Sequence, residues 1–301
     1  MQEYLGMRRI AAGLLRSAPG ACALVLILGL VSGTAAAQAE PKRGEYLARA
    51  GGCLACHTEE KKDATPYAGG RALKTPFGTF YGPNITPHPA AGLGRWSEAD
   101  FIRAMRLGER PDGAHYFPAF PYPSFTKITD GDLRDLWAYL RSLPPSGRAN
   151  QPHDLRFPFS LRMLVTGWKW LFFTPGAFVS DSSSPATVSR GGYLVSALSH
   201  CGECHTPRNF LGGPKRDRLL AGSKHGAEGK AVPNITPTRL KKWSDSDLKE
   251  FLLSGLTPDG DVTAETMGEV VRNTTSKLTP EDLAAMIAYL RAIPGLPDEP
   301  K

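Results

Sequence analysis

Two runs of Cys-x-x-Cys-His constrain this chain more than any other feature: Cys53-Leu54-Ala55-Cys56-His57 and Cys201-Gly202-Glu203-Cys204-His205. In each run two thiols stand one helical turn apart, the arrangement that forms thioether bonds to a haem, and the following histidine is placed under the ring to hold the iron. A zinc site needs four closely grouped protein ligands, and a thioredoxin-like redox pair needs no following histidine. The pattern predicts two covalently bound haem c groups, attached through Cys53, Cys56, Cys201 and Cys204, with His57 and His205 as axial iron ligands.

The first forty residues differ in kind from the rest. Arg8, Arg9 and Arg16 precede an apolar run from Ala21 to Gly33, and small residues follow to Ala39. Basic, then apolar, then small is the order of a secretory signal, and the run is short for a membrane span. Residues 1–39 are therefore expected to be an export signal, with retention as an anchor as the alternative, and the mature chain is expected in the periplasm. Of 5 cysteines, Cys22 falls in this segment, so the two motifs use the other four and leave none for a disulfide or for ligation from the second side of the iron. The formal charge of +7 falls when the segment is removed, and haem propionates roughly cancel the remainder. No stripe of Lys and Arg interleaved with aromatics is visible, so nucleic acid is not an expected partner.

A chain of 301 residues has room for two domains, and it repeats itself at a spacing of about 147 to 150 residues. Tyr46-Leu47 recurs as Tyr193-Leu194, Pro83-Asn84-Ile85-Thr86-Pro87 as Pro233-Asn234-Ile235-Thr236-Pro237, Trp96-Ser97 as Trp243-Ser244, Pro111-Asp112-Gly113 as Pro258-Asp259-Gly260, and Ala138-Tyr139-Leu140-Arg141 as Ala288-Tyr289-Leu290-Arg291. The expected organisation is all-α, with tandem domains over 40–147 and 186–301. Ser97-x-x-Asp100 and Ser244-x-x-Asp247 read as capping boxes of helices ending near Gly108 and Gly255. Thr129 and Thr279 read as N-caps of a last helix in each half, with apolar stripes at Leu133, Leu136, Trp137 and Leu140 and at Leu283, Met286, Ile287 and Leu290. Each such helix is expected to pack on the one leading into Cys-x-x-Cys-His and to stop before Pro144 or Pro294.

Residues 148–185 form an aromatic-rich connection containing Trp168, Trp170, Phe172 and Phe173. Arg162, Gly167 and Lys169 interrupt a run already too short to span a bilayer. A helix packed between the halves is the expected reading, with peripheral membrane contact as the alternative.

Methionine as second axial ligand raises a haem's reduction potential. Met267, beyond Pro258-Asp259-Gly260, is the expected sixth ligand of the second iron. Met286 lies on a helical apolar stripe, where methionine commonly fills core space. Sliding the halves on Trp96 and Trp243 sets Phe120 opposite Met267, and phenylalanine cannot ligate iron. For the first iron three readings stay open: His115 as sixth ligand, Met105, or an open position. Asn84 and Asn234 are candidates for holding a propionate or an axial side chain, or are ordinary turn residues. Trp96, Trp243 and Arg208 carry similar alternatives.

The stretches Gly52 to Thr58, Pro83 to Thr86, Tyr116 to Tyr122 and Cys201 to Asn209 resemble the diheme and triheme class I c-type cytochromes that serve periplasmic dehydrogenases, including the cytochrome subunits of alcohol, gluconate and fructose dehydrogenases. The resemblance covers most of the chain after its N-terminal segment. It implies two tandem class I cytochrome c domains that pass single electrons from a dehydrogenase towards a later carrier, cytochrome or terminal oxidase. In that family the loop matching Pro118 to Tyr122 often carries the axial methionine, and Phe120 departs from it. A peroxidase-like diheme enzyme with an open first haem is the alternative.

Overall fold

The computed structural model describes residues 39–226 and 229–298. Apart from Ala39, the expected export signal, with Cys22, lies outside the described residues. In chain order the elements are α1 (Pro41–Ala50), α2 (Cys53–Cys56), β1 (Ala72–Thr75), β2 (Gly78–Tyr81), α3 (Glu98–Leu107), α4 (Tyr122–Phe125), α5 (Asp130–Ser142), β3 (Asp154–Leu155), α6 (Leu164–Phe172), α7 (Ala186–Tyr193), α8 (Gly202–His205), α9 (Pro237–Leu240), α10 (Asp245–Ser254), α11 (Glu265–Asn273) and α12 (Pro280–Ala292).

Helices dominate, and the all-α expectation takes one correction. β1 and β2 form an antiparallel hairpin with Leu73 opposite Phe80, and β3 joins the far side of β2 through Gly78 and Thr79. Strands of two to four residues are too short to show a period of two in sequence, and β3 reaches β2 from the distant connection.

The capped helices form as their sequences require. Ser97 and Ser244 accept from the backbone N–H groups of Asp100 and Asp247, whose carboxylates accept in return, and Gly108 and Gly255 end these helices in the left-handed region at φ 61° and 82°. The Thr129 and Thr279 hydroxyls cap α5 and α12 by accepting from the backbone N–H groups of Asp132 and Asp282. Their apolar stripes are buried: Leu133, Leu136 and Leu140 in one, Leu283, Met286, Ile287 and Leu290 in the other. Met286 is thus a core residue, and burying each such side chain contributes about 1.5–3 kcal/mol.

α1 crosses α5, and α7 crosses α12, at backbone contact. A Cβ at Gly44 would lie 1.9 Å from the Asp135 carbonyl oxygen, and one at Gly191 would lie 1.9 Å from that of Ala285. Only glycine permits either crossing. The helix after Gly191 has one residue more before its first motif cysteine than the helix after Gly44, and a π-helical turn at Leu194–Leu198 takes up the difference.

One continuous core joins the halves, and a reciprocal polar exchange locks them. The Tyr46 hydroxyl donates to Asp282 Oδ2 at 2.5 Å and accepts from the Thr279 N–H. The Tyr193 hydroxyl donates to Asp132 Oδ2 at 2.6 Å and accepts from the Thr129 N–H. Arg190 forks onto Asp282, while Arg43 spans Asp132 and Asp135. Each half's first helix therefore satisfies the cap of the other half's last helix.

α6 bridges both halves on one face. Lys169 Nζ donates to the Leu107 carbonyl at 2.6 Å, Trp168 Nε1 donates to the Leu211 carbonyl at 3.0 Å, and the Phe172 ring lies on Gly213. Its other face leaves Trp170 89% exposed, with Leu171 and Met163. Among the described residues no helix is long and apolar enough to cross a membrane.

Candidate haem-attachment site

Each Cys-x-x-Cys-His run folds as a single helical turn, α2 or α8, which sets both thiols on one side and the histidine at the end of the turn. All four cysteines are unpaired. Burial pushes the thiols of Cys53, Cys56 and Cys201 up, to about 12, about 11 and about 12. Among the described residues no three His, Cys, Asp or Glu side chains group to hold a bare metal ion.

His57 Nδ1 lies 2.7 Å from the Pro83 carbonyl oxygen, and His205 Nδ1 lies 2.7 Å from that of Pro233. A carbonyl only accepts, so Nδ1 carries the proton in both rings and Nε2 keeps its lone pair for a metal. Burial lowers the pKa of each imidazole, against the opposing hydrogen bond to the carbonyl, which favours the neutral, ligating form. The repeated Pro-Asn-Ile-Thr-Pro run held the signal for both prolines, but nothing local in the sequence links their carbonyls to the histidines.

The asparagines of those runs prove to be internal staples. Asn84 Oδ1 accepts from the Thr86 N–H and hydroxyl, and its Nδ2 donates to the carbonyls of Ser146 and Arg148. Asn234 accepts likewise from Thr236, and its Nδ2 donates to the Leu296 carbonyl and the Asp298 carboxylate. Their amides are committed to protein partners, so the turn-residue reading accounts for them and the propionate role does not. The Arg208 guanidinium is likewise spent on Glu203 and the Gly212 carbonyl.

A cavity of about 790 Å³ opens over the first motif, lined by Cys53, Cys56, His57, Trp96, Met105 and Phe120 among mainly apolar side chains. That volume falls within the roughly 300–1,000 Å³ of cofactor pockets. A planar tetrapyrrole fits the residues present: two thiols and a proton-directed imidazole at one wall, aromatic and aliphatic groups elsewhere. Trp96 lines this space, while Trp243 packs edge-on to Phe251 at 5.3 Å.

The other predicted ligands divide. His115 is not among the residues lining the cavity: its Nδ1 sits 3.0 Å from Lys169 Nζ, its ring faces Glu109, and its backbone pairs with Glu109 in a short bridge. That bridge sends neighbouring side chains to opposite faces, which places Tyr116 in the cavity lining and leaves His115 on the side of α6. Met105 does line the cavity, on the same helical face as Phe101 and Ala104. Met267 occupies the first turn of α11, not a loop as its spacing after Pro258-Asp259-Gly260 suggested, and is half-buried. His153 and His200, which no sequence motif marks, also line the first cavity.

Comparison with known proteins agrees with this geometry. The Cytochrome c family model matches residues 41–144. A "Diheme cytochrome c-type" of Cereibacter sphaeroides is 47% identical over 262 residues, which cover 85% of this chain and 87% of that protein. The cytochrome c subunit of the quinone alcohol dehydrogenase of Gluconobacter oxydans is 39% identical over 85% of this chain and 55% of its own length. The cytochrome subunit of the fructose dehydrogenase of Gluconobacter japonicus is 39% identical over 84% of this chain and 52% of its own. The chain thus spans about half the length of these two dehydrogenase subunits. With haem-type attachment turns, carbonyl-directed histidines and these relatives together, the chain belongs to the c-type cytochromes, beside the diheme cytochromes and the cytochrome subunits of alcohol, fructose and gluconate dehydrogenases.

Proposed function

We propose that this chain is a periplasmic two-haem electron relay built from two tandem class I cytochrome c domains. It accepts single electrons from a dehydrogenase and delivers them to a later cytochrome or oxidase. The observation that carries the reading is the paired clamp of His57 on Pro83 and His205 on Pro233, each beside its own pair of half-buried thiols. Bound haem supplies the one-electron chemistry, and the protein sets potential, burial and docking.

In this reading Cys53, Cys56, Cys201 and Cys204 hold the two haems, and His57 and His205 are the proximal ligands. Met267 is the sixth ligand of the second iron. With His115 turned towards Lys169, Met105 takes the corresponding place at the first. Electrons enter at the haem held by His57 and leave from the one held by His205, because the halves differ in the side chains offered from the second side.

The test is mass spectrometry and haem assay of protein recovered from an exporting host, followed by carbon monoxide binding to the ferrous form. Two haems per chain and no rapid binding are expected. Rapid binding at the first haem that persists unchanged in Met105→Ala would instead support the peroxidase-like alternative, and a polypeptide without haem would remove the proposal altogether.

A further inference from the structure

The residue before the first cysteine of each motif sits at the same place in the repeat, yet the two differ: Gly52 in one half and His200 in the other. Both adopt left-handed backbone, at φ 64° and φ 39°. Glycine does so freely, whereas any other residue there carries a strain that its surroundings must hold. Such outliers concentrate where they serve function.

The imidazole of His200 is held on several sides. Its Nδ1 is 2.9 Å from the Leu198 carbonyl oxygen, and its ring stands edge-on to Phe125 at 5.3 Å. Its Cε1 would lie 3.9 Å from a Cβ placed on Gly52. The two lead-in segments run back to back here, with the Ser199 hydroxyl donating to the Ala50 carbonyl at 3.0 Å. His200 therefore lines the cavity of the first motif while its own peptide bond joins it to Cys201 of the second.

We propose that His200 is the bridge between the two haem sites, a positioning residue for electron transfer within the chain. Its ring lies against the first cofactor's space, and its backbone leads directly to the sulfur that attaches the second. With both haems bound, one electron would cross, the iron held by His57 being oxidised as the one held by His205 is reduced, with no atom or proton moved. The inference rests on the two-haem reading above and adds the route.

The test uses the exported full-length protein and its variants His200→Gly and His200→Asn. Glycine restores the residue of the first half, and asparagine tolerates the left-handed backbone while lacking a ring. One haem is reduced by pulse radiolysis and re-equilibration between the two is followed, together with haem content, melting temperature and both midpoint potentials. The expected result is relaxation about tenfold slower in both variants, with haem content and both potentials unchanged and the melting temperature not lowered. Unaltered relaxation overturns the bridge. So does slowing that tracks a shifted potential or a lowered melting temperature, and so does loss of haem from both variants, each of which marks a purely structural residue. A parent protein that carries two haems but shows no relaxation between them refutes the relay reading itself, a result separate from any difference between parent and variant.

Discussion

The two Cys-x-x-Cys-His regions share a plan and differ at the side chains proposed for the second side of the iron. In both, a glycine crossing brings a lead-in helix onto the last helix, a one-turn helix presents the thiols, and a proline carbonyl orients the histidine. Against that constancy, the first half sets Phe120 where the second has Met267, and Gly52 where the second has His200. The histidine side is built from backbone geometry that both motifs share. The proposed distal ligands are single side chains, which can diverge without disturbing the fold. Two potentials can thus arise from one architecture.

The largest effect should come from removing one attachment pair. Cys201→Ser with Cys204→Ser is expected to halve the haem content measured by pyridine haemochrome while leaving the first haem's spectrum intact; loss of both haems would show that the halves do not load independently. Next, Met267→Ala should lower the second midpoint potential alone, and Phe120→Met should raise the first. Each shift is expected to be on the order of 100 mV within the roughly 0.8 V that axial ligands span, as read by redox titration. If Phe120→Met leaves the first potential unmoved, that loop does not face the iron.

A smaller effect is expected at the reciprocal lock. Tyr46→Phe or Tyr193→Phe deletes a hydrogen bond to a buried carboxylate and should cost about 1–2 kcal/mol in denaturant unfolding. The Asp282 carboxyl is raised by burial, but hydrogen bonds from Arg190 and Tyr46 outweigh this and hold it below the usual range. A depressed carboxylate contributes stability that is fully present above its unfolded value, about 3.9, and is lost as pH falls through the lower folded value. Unfolding free energy should therefore fall below about pH 4, and less steeply in Asp282→Asn. The smallest effect is at the caps, where Ser97→Ala and Ser244→Ala should each cost about 1 kcal/mol by thermal unfolding. A marked inequality between them would reveal local differences that the shared capping geometry hides.

Much of this was legible from residue order because the signals are local. The thiol and histidine spacing spans one helical turn, the capping boxes span four residues, and the apolar stripes of α5 and α12 follow the helical period. The single residue added between Tyr193 and Cys201 was visible as a change in repeat offset, although its expression as a π-helical turn was not. His115 shows the limit most plainly. Its proximity in sequence to the expected ligand loop suggested iron, but a short backbone bridge to Glu109 and the amine of Lys169, from a helix much further along the chain, hold it elsewhere.

Residue order alone therefore pointed to haem c attachment, the cytochrome c family and most helix limits, since each is carried by groups within a few bonds or turns of one another. Long-range packing settled the rest: the β3 strand, the carbonyls that orient His57 and His205, the exchange of Tyr46 and Tyr193 between halves, and the placing of His200 against Gly52. Those contacts join segments far apart along the chain, and a pairing of that kind is specified by the shape and polarity of both surfaces once folded, which no single stretch of sequence carries.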